Sequence, residues 1–335
     1  MSAPAAAILG CAGPHLTEGE RRFFRDADPW GFILFARNCE SAGQTAALVA
    51  DLRAAVGRDA PVLIDQEGGR VARLSSDAAR AWAPPLEAVA RAGDRAAEML
   101  RLRYRIIAHE LAALGIDVNC APLADTATPA THPVLRNRCY GAAPGAVAAR
   151  ARAVAGGLLA GGVLPVLKHI PGHGRATADS HRALPRVEAP LADLRLADFA
   201  PFAALADLPL GMTAHVVFAA LDDRPATISP AVIRLIREEL GFGGLLMTDD
   251  ISMQALSGGL GARTAAAIAA GCDVTLHCNG DADEMAAVVA AAGSLTPAAE
   301  ARAAVALARR GAAEPVDIAA LQAKHDALLI GAHDG

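Results

Sequence analysis

The chain reads as an α/β protein folded into one closed (β/α)8 barrel. Three observations predict this. Eight short apolar runs are spaced along the 335 residues, stretches of helical spacing lie between them, and the connections are short. Strands that alternate with helices build a parallel sheet, and eight such units close it on itself. No Pro/Gly/Ser-rich linker and no internal repeat divides the sequence. One catalytic-size domain over residues 1–335 is therefore expected.

Taken in order, the strands are expected at 5–11, 31–36, 61–65, 117–122, 163–168, 208–216, 244–248 and 273–277. Helices are expected at 17–26, 44–56, 94–114, 144–160, 191–205, 230–240 and 262–270. Residues 281–293 should close the barrel, and 297–330 should add one or two helices packed outside it. A doubly wound open sheet is the competing architecture, but the turn after the first run, GCAGPHL, lacks the GxGxxG spacing of that fold.

Composition narrows the function. Hydrophobic residues make up 53% and aromatics only 4%, so the core is aliphatic. The net charge of −5, with no basic block, argues against nucleic acid as a partner. The first residues lack the basic start of a signal peptide, and no apolar run is long enough to span a bilayer, so a cytoplasmic protein with no membrane partner is expected. Six cysteines show no CxxC pair or regular spacing, which points to neither a zinc knuckle nor a disulfide framework.

The strand ends carry the chemistry, because a parallel barrel presents its active site at the C-terminal mouth. Asp65 ends the third run, with Arg70 and Arg73 just beyond it. Asp125 follows the fourth, Lys168 and His169 end the fifth, and His215 lies near the end of the sixth. Asp249 and Asp250 end the seventh, and Asn279 the eighth. One polar strand end is an ordinary turn or cap. Six of eight converge on a polar pocket and favour an enzyme. The densest stretch is KHIPGHGRATADSHRALP, from Lys168, where Pro171, Gly172 and Gly174 forbid regular structure and a loop holds His173, Asp179, Ser180 and His181.

Two chemistries fit these residues. In the first, one of the Asp249–Asp250 pair caps the following turn while the other faces the pocket. An ionised aspartate there can attack an acetal carbon or stabilise an oxocarbenium ion. A proton donor is also required, and Asp179, two residues before His181, is spaced to orient that imidazole. In the second, His169, His173, Asp179 and His181 are metal ligands. Against it, Pro171 and Gly172 break any helix that would bring His169 and His173 to one face, and there is no HxH at the first strand end. For His173, between two glycines, a structural role in the loop is expected.

KHIPGHGRATADSH resembles the KH(F/I)PGHGxxxxDSH signature of glycoside hydrolase family 3, in its β-N-acetylhexosaminidase branch. GFILFARN, LIDQEGGRVARL, VNCAPLADT, PVLRNRCYG, MTAHV, LLMTDDISM and AGCDVTLHCN resemble further blocks of that family in order, over about residues 8–280. The likeness is nearest to the single-domain cytoplasmic enzymes of bacterial cell-wall recycling. It implies that Asp249 is the nucleophile of a covalent glycosyl-enzyme and that His181, paired with Asp179, is the acid/base. It implies that Asp65, Arg73, Arg138, Lys168 and His169 bind the sugar. The implied activity is that of an exo-acting, retaining β-N-acetylglucosaminidase without metal or organic cofactor, acting on GlcNAc-1,6-anhydro-MurNAc peptides as a monomer or weak oligomer. A β-glucosidase or an N-acetylglucosaminide phosphorylase on the same scaffold stays open, as do a metal-dependent hydrolase and a non-catalytic sugar-binding protein. One departure stands out. Where the family pattern has GDR, this chain has Arg136, Asn137 and Arg138, so an acid is replaced and a charge is added beside the expected pocket.

Overall fold

The computed structural model describes residues 3–178, 180 and 183–330. Eight parallel strands close a barrel: β1 (Ala5–Leu9), β2 (Pro29–Leu34), β3 (Val62–Ile64), β4 (Val118–Asn119), β5 (Leu164–Ile170), β6 (Leu210–Thr213), β7 (Leu245–Asp250) and β8 (Val274–His277). They pair in chain order, and β8 returns to β1 with His277 opposite Leu9. Every strand expected from the sequence overlaps an observed one, and the closed barrel is the architecture found.

The differences have local causes. β4 keeps only two residues because Pro122 has no amide to donate. The Asn119 side chain takes over the pairing: its Oδ1 accepts from the Gln66 amide at 3.0 Å and its Nδ2 donates to the Gln66 carbonyl at 3.0 Å. The helix expected at 191–205 is instead the turn Leu191–Asp193, the π-helical turn Leu194–Asp198 and the short helix Ala200–Ala203. The π turn brings Asp198 inward, where it accepts from Arg175 Nε at 2.6 Å. A second π turn, Leu235–Glu239, ends the segment expected at 230–240. Helix Pro85–Ala92 and the short parallel pair Arg186–Val187 with Val217–Phe218 were not expected.

Helix ends follow from capping. Thr17 accepts from the Glu20 amide at 3.1 Å, and Glu20 accepts from the Thr17 amide at 2.9 Å, a reciprocal box that starts helix Glu18–Ala27. Ser41 caps helix Ala42–Val56, and Gly57, at φ +63°, ends it in the left-handed conformation.

Side chains alternate across each strand and divide the core in two. Ile8, Ile33, Leu63, Val118, Leu164, Val166, Leu210, Leu245, Met247 and Val274 fill the lumen. The intervening residues, such as Leu9, Leu34, Ile64 and Leu246, pack outward under the helices. Helix Pro297–Leu307 adds Ala299, Ala303 and Ala306 to the lumen cluster, together with Trp30 and Leu295, and so covers the N-terminal end. Helix Ile318–Ile330 packs on helices Pro85–Ala92 and Ala96–Ala113.

At that N-terminal end two carboxylates precede strands. Asp273 accepts from Arg237 at 2.6 Å, Arg302 at 2.8 Å and the Leu246 amide at 2.9 Å. Asp117 accepts from Arg310 at 2.6 Å and the Val62 amide at 2.7 Å, and pairs with Arg53 at 3.1 Å. No helix among the described residues is long and apolar enough to cross a membrane.

Candidate active site

The pleat of the barrel sets the site. Leu63, Val166 and Met247 point into the lumen. Two residues further along their strands, on the same side, stand Asp65, Lys168 and Asp249. These three, with Arg73, Arg138 and His169, line one open cavity of about 320 Å³ at the C-terminal mouth. Arg37, Arg70, Asp250 and Asn279 complete the polar lining, with Phe35 beside them. Six of the eight residues to which the resemblance gives catalytic or sugar-binding roles thus converge. The other two, Asp179 and His181, lie outside the described residues.

One wall is an ion lattice. Lys168 Nζ is 2.8 Å from Asp65 Oδ1 and 2.7 Å from Glu67 Oε1. Arg138 holds the same Glu67 with both arms of its fork, Nε to Oε2 at 2.9 Å and Nη2 to Oε1 at 2.7 Å. Arg73 Nη2 lies 3.5 Å from Asp65 Oδ2. Burial alone would raise the Asp65 carboxyl, but Lys168, Arg73 and Arg138 outweigh it and hold it well below the usual carboxylate range. Glu67 is likewise held down against its burial by Arg138 and Lys168. Lys168 feels the converse: burial would lower its ammonium, and Asp65 and Glu67 push it above the ordinary lysine value. Asp65 is therefore an ionised acceptor at neutral pH, suited to the hydroxyls of a sugar.

Glu67 is the residue that sequence reading missed. Its side chain is fully buried, yet it ties together two of the expected sugar-binding cations. The signal available was faint: a second carboxylate two residues past Asp65, just before Gly68 and Gly69, whose φ values of +104° and +59° turn the chain away from the strand.

A second wall follows β5. His169 Nδ1 contacts Asp125 Oδ2 at 2.8 Å, and the His173 amide donates to Asp125 Oδ1 at 2.6 Å. Asp125 thereby anchors both histidines. Burial would raise its carboxyl, and His169 and His173 bring it below the usual range. His173 packs edge-on against His169 with ring centres 5.6 Å apart, and its Nε2 contacts Ser180 Oγ at 3.2 Å. Burial, with His169 beside it, pushes the His173 imidazole down to about 4. Gly174 admits no side chain, since a Cβ there would sit 2.0 Å from the Thr126 carbonyl oxygen. The expected structural part for His173 agrees with these contacts.

The Asp249–Asp250 pair is divided between tasks. Asp250 accepts from Ser252 Oγ at 2.8 Å, the Ser252 amide at 3.1 Å and the Cys278 amide at 3.3 Å, which makes it the cap of the turn after β7. Asp249 Oδ1 accepts from the Asp250 amide at 2.8 Å, and its carboxylate faces the cavity. His215, fully buried beneath, donates from Nε2 to the Asp250 carbonyl at 3.0 Å and contacts Thr227 Oγ1 through Nδ1 at 2.7 Å. Burial pushes its imidazole down, so it stays neutral and secures the end of β7. Of the departing triplet, Arg136 and Asn137 are exposed, and only Arg138 lines the cavity. The expected extra charge beside the pocket therefore points to solvent. Among the described residues no three His, Cys, Asp or Glu side chains are grouped to hold a metal ion.

The model of the glycosyl hydrolase family 3 N-terminal domain matches residues 17–309. The chain belongs to glycosyl hydrolase family 3. A β-hexosaminidase of Bordetella avium is 38% identical over 82% of this chain and 81% of its own length. One from Methylococcus capsulatus is 37% identical over 81% and 82%. Among solved structures, NagZ from Neisseria gonorrhoeae in complex with N-trifluoroacetyl-D-glucosamine superposes with a TM-score of 0.84 at 29% identity, covering 98% of this chain and 96% of that one. A family 3 β-N-acetylglucosaminidase from Paenibacillus gives 0.86 at 30% identity, over 96% and 67%. The enzyme is a glycoside hydrolase of the β-hexosaminidase type, built on the barrel that its sequence predicts.

Proposed function

We propose that the enzyme is an exo-acting, retaining β-N-acetylglucosaminidase that removes terminal GlcNAc from peptidoglycan fragments of the GlcNAc-1,6-anhydro-MurNAc peptide type. The observation that carries this reading is the placement of Asp249 across a cavity of about 320 Å³ from the Asp65–Lys168–Glu67–Arg138 lattice. That volume is at the small end of ligand pockets and suits one terminal sugar better than the interior of a polymer. In this reading Asp65, Arg73, Arg138, Lys168 and His169 hold the sugar, with Asp65 accepting its hydroxyl protons. Asp249 attacks the anomeric carbon while His181, oriented by Asp179, gives its proton to the leaving oxygen. The aglycone departs as an alcohol and leaves a glycosyl ester on Asp249. Neutral His181 then takes a proton from water, the new hydroxide attacks the same carbon, and Asp249 returns as carboxylate. Two inversions retain the configuration. A histidine donor becomes neutral after transfer and sets no further anion beside Asp249. The whole chain works as one catalytic domain, in solution in the cytoplasm, as a monomer or weak oligomer.

The test is hydrolysis of a para-nitrophenyl β-N-acetylglucosaminide against the matching β-glucoside, with and without phosphate. Preference for the acetamido sugar with no phosphate dependence supports the reading, whereas phosphate dependence converts it to a phosphorylase. Asp249→Asn should lower kcat/KM at least about a thousandfold. His181→Ala should lose about 10²–10⁴-fold on poor leaving groups and far less on activated ones, and an equal loss on both removes its acid role.

A further inference from the structure

We propose that Trp82 is a positioning residue for the sugar site, gripped by the C-terminal helix Ile318–Ile330 and acting through Arg103 on Glu67. The proposal rests on the hexosaminidase reading and adds an element that lies beyond the family-matched residues 17–309.

The chain of contacts starts at Glu67, whose carboxylate orients Lys168 and Arg138. The backbone of Glu67 is itself held from behind. Arg103, only 1% exposed on helix Ala96–Ala113, donates from Nη2 to the Glu67 carbonyl at 2.6 Å and to the Ala83 carbonyl at 2.9 Å. It thus staples the two ends of the segment that carries Arg70 and Arg73. The fit is flush, since a Cβ on Gly68 would lie 1.9 Å from that same nitrogen. Tyr104 adds its hydroxyl to the Glu67 carbonyl at 3.3 Å.

Burying a guanidinium this deep costs solvation, which lowers its pKa without removing its charge and calls for compensating support. The support is aromatic. The Arg103 guanidinium carbon sits 5.3 Å from the centre of the Trp82 ring, within range of a desolvated cation–π contact. The Trp82 carbonyl also accepts from the Gly69 amide at 2.8 Å, so the same residue sets the turn beside Glu67.

Trp82 is held in turn by the C-terminal helix. His325, 2% exposed, meets its ring edge-on at a centroid distance of 5.1 Å. Arg80 lies 4.9 Å from the ring centre and is fixed by Asp326 at 2.7 Å. The His325 ring contacts that same Asp326 at 2.9 Å. A terminal helix on the outer face of the barrel is thereby joined to the ion lattice by packed, buried side chains without a gap.

Linkage makes this testable, because a group that positions the sugar must respond to the sugar. The chain has two tryptophans, and Trp30 lies buried at the opposite end of the barrel. Trp30→Phe in the full chain leaves Trp82 as the sole reporter. Titration with N-acetylglucosamine should change Trp82 emission with the same midpoint that calorimetry gives for binding. Separately, Trp82→Leu should raise KM for the aryl N-acetylglucosaminide about tenfold, and Trp82→Phe, which restores an aromatic face, should stay within about threefold of the parent. Calorimetric binding with silent Trp82 emission overturns the proposal and leaves the hexosaminidase reading intact. So does a Trp82→Leu variant that loses Tm while keeping the parent KM. Absence of both binding and hydrolysis in the parent overturns the two together.

Discussion

The two ends of the barrel carry similar charges and use them differently. At the N-terminal end Asp117 and Asp273 each pair with two arginines and also accept a backbone amide from the neighbouring strand. At the C-terminal end Asp65 and Glu67 share Lys168, Arg138 holds Glu67, and Asp65 and Asp249 line one open cavity. A cluster of Asp and Arg is therefore no mark of a site by itself. What separates the two is where each acid sits on its strand. Asp117 and Asp273 stand immediately before β4 and β8, whereas Asp65 and Asp249 stand at the exits of β3 and β7. The first kind tethers strands where they begin, and the second faces the open cavity where they end.

Four changes sharpen or break this contrast. The largest effect is expected for Asp65→Asn, which keeps the shape but removes an ionised acceptor for sugar hydroxyls. It should lower kcat/KM by about a hundredfold or more in steady-state assays while Tm moves by only a few degrees. Glu67→Gln straddles the two categories. Breaking a fully buried ion pair should destabilise by about 3 kcal/mol in urea unfolding, and the loosened Lys168 and Arg138 should raise KM as well. If the variant loses stability with KM unchanged, Glu67 belongs with the tethering acids. Asp273→Asn should cost about 2 kcal/mol of stability and leave kcat/KM of the folded enzyme within about threefold. A large catalytic defect there would erase the distinction between the ends.

The smallest effect concerns pH. The folded value of His173, about 4, lies below the unfolded imidazole value of 6.5, so the unfolded chain binds the extra proton between them. The stability contributed by neutral His173 is complete above pH 6.5 and is lost as pH falls toward about 4. Asp125 is lowered as well, and its contribution is lost at still more acid pH as it is protonated. Tm recorded over this range should fall, and His173→Gln should flatten the upper part of the decline.

Much of this was legible in the sequence because it depends on local period. The short continuous apolar runs ending at Asp65, Lys168 and Asp249 predict buried strands, and the polar residue at each exit predicts a mouth. The rest depends on contacts that no local pattern encodes. Glu67 meets Arg138 across 71 positions of sequence, and Lys168 meets Asp65 across 103. The π turns at Leu194–Asp198 and Leu235–Glu239 keep helical spacing in the sequence and differ only in which carbonyl each amide finds. Helix Pro85–Ala92 has too few turns to stand out from its surroundings. For the N-terminal acids, the sequence shows an aspartate before a strand, and only the tertiary fold supplies its arginines.

The division of Asp249 and Asp250 between cavity and cap bears on how the site can be rebuilt. The position of Asp249 is a property of the sheet pleat: it follows Leu245 and Met247 into the lumen, and Asp250 closes the turn behind it. The segment after β5 comes up beside this arrangement, where His173, Ala178 and Ser180 line a small cleft together with Asp249. That segment is joined to the barrel at its base, through Asp125 and the close approach of Gly174 to Thr126. Asp249 and the proposed donor His181 thus belong to separate pieces of chain. On the proposed mechanism, an engineer can exchange the segment beyond Gly174 for one bearing a different proton donor while the carboxylate on β7 stays where the pleat holds it.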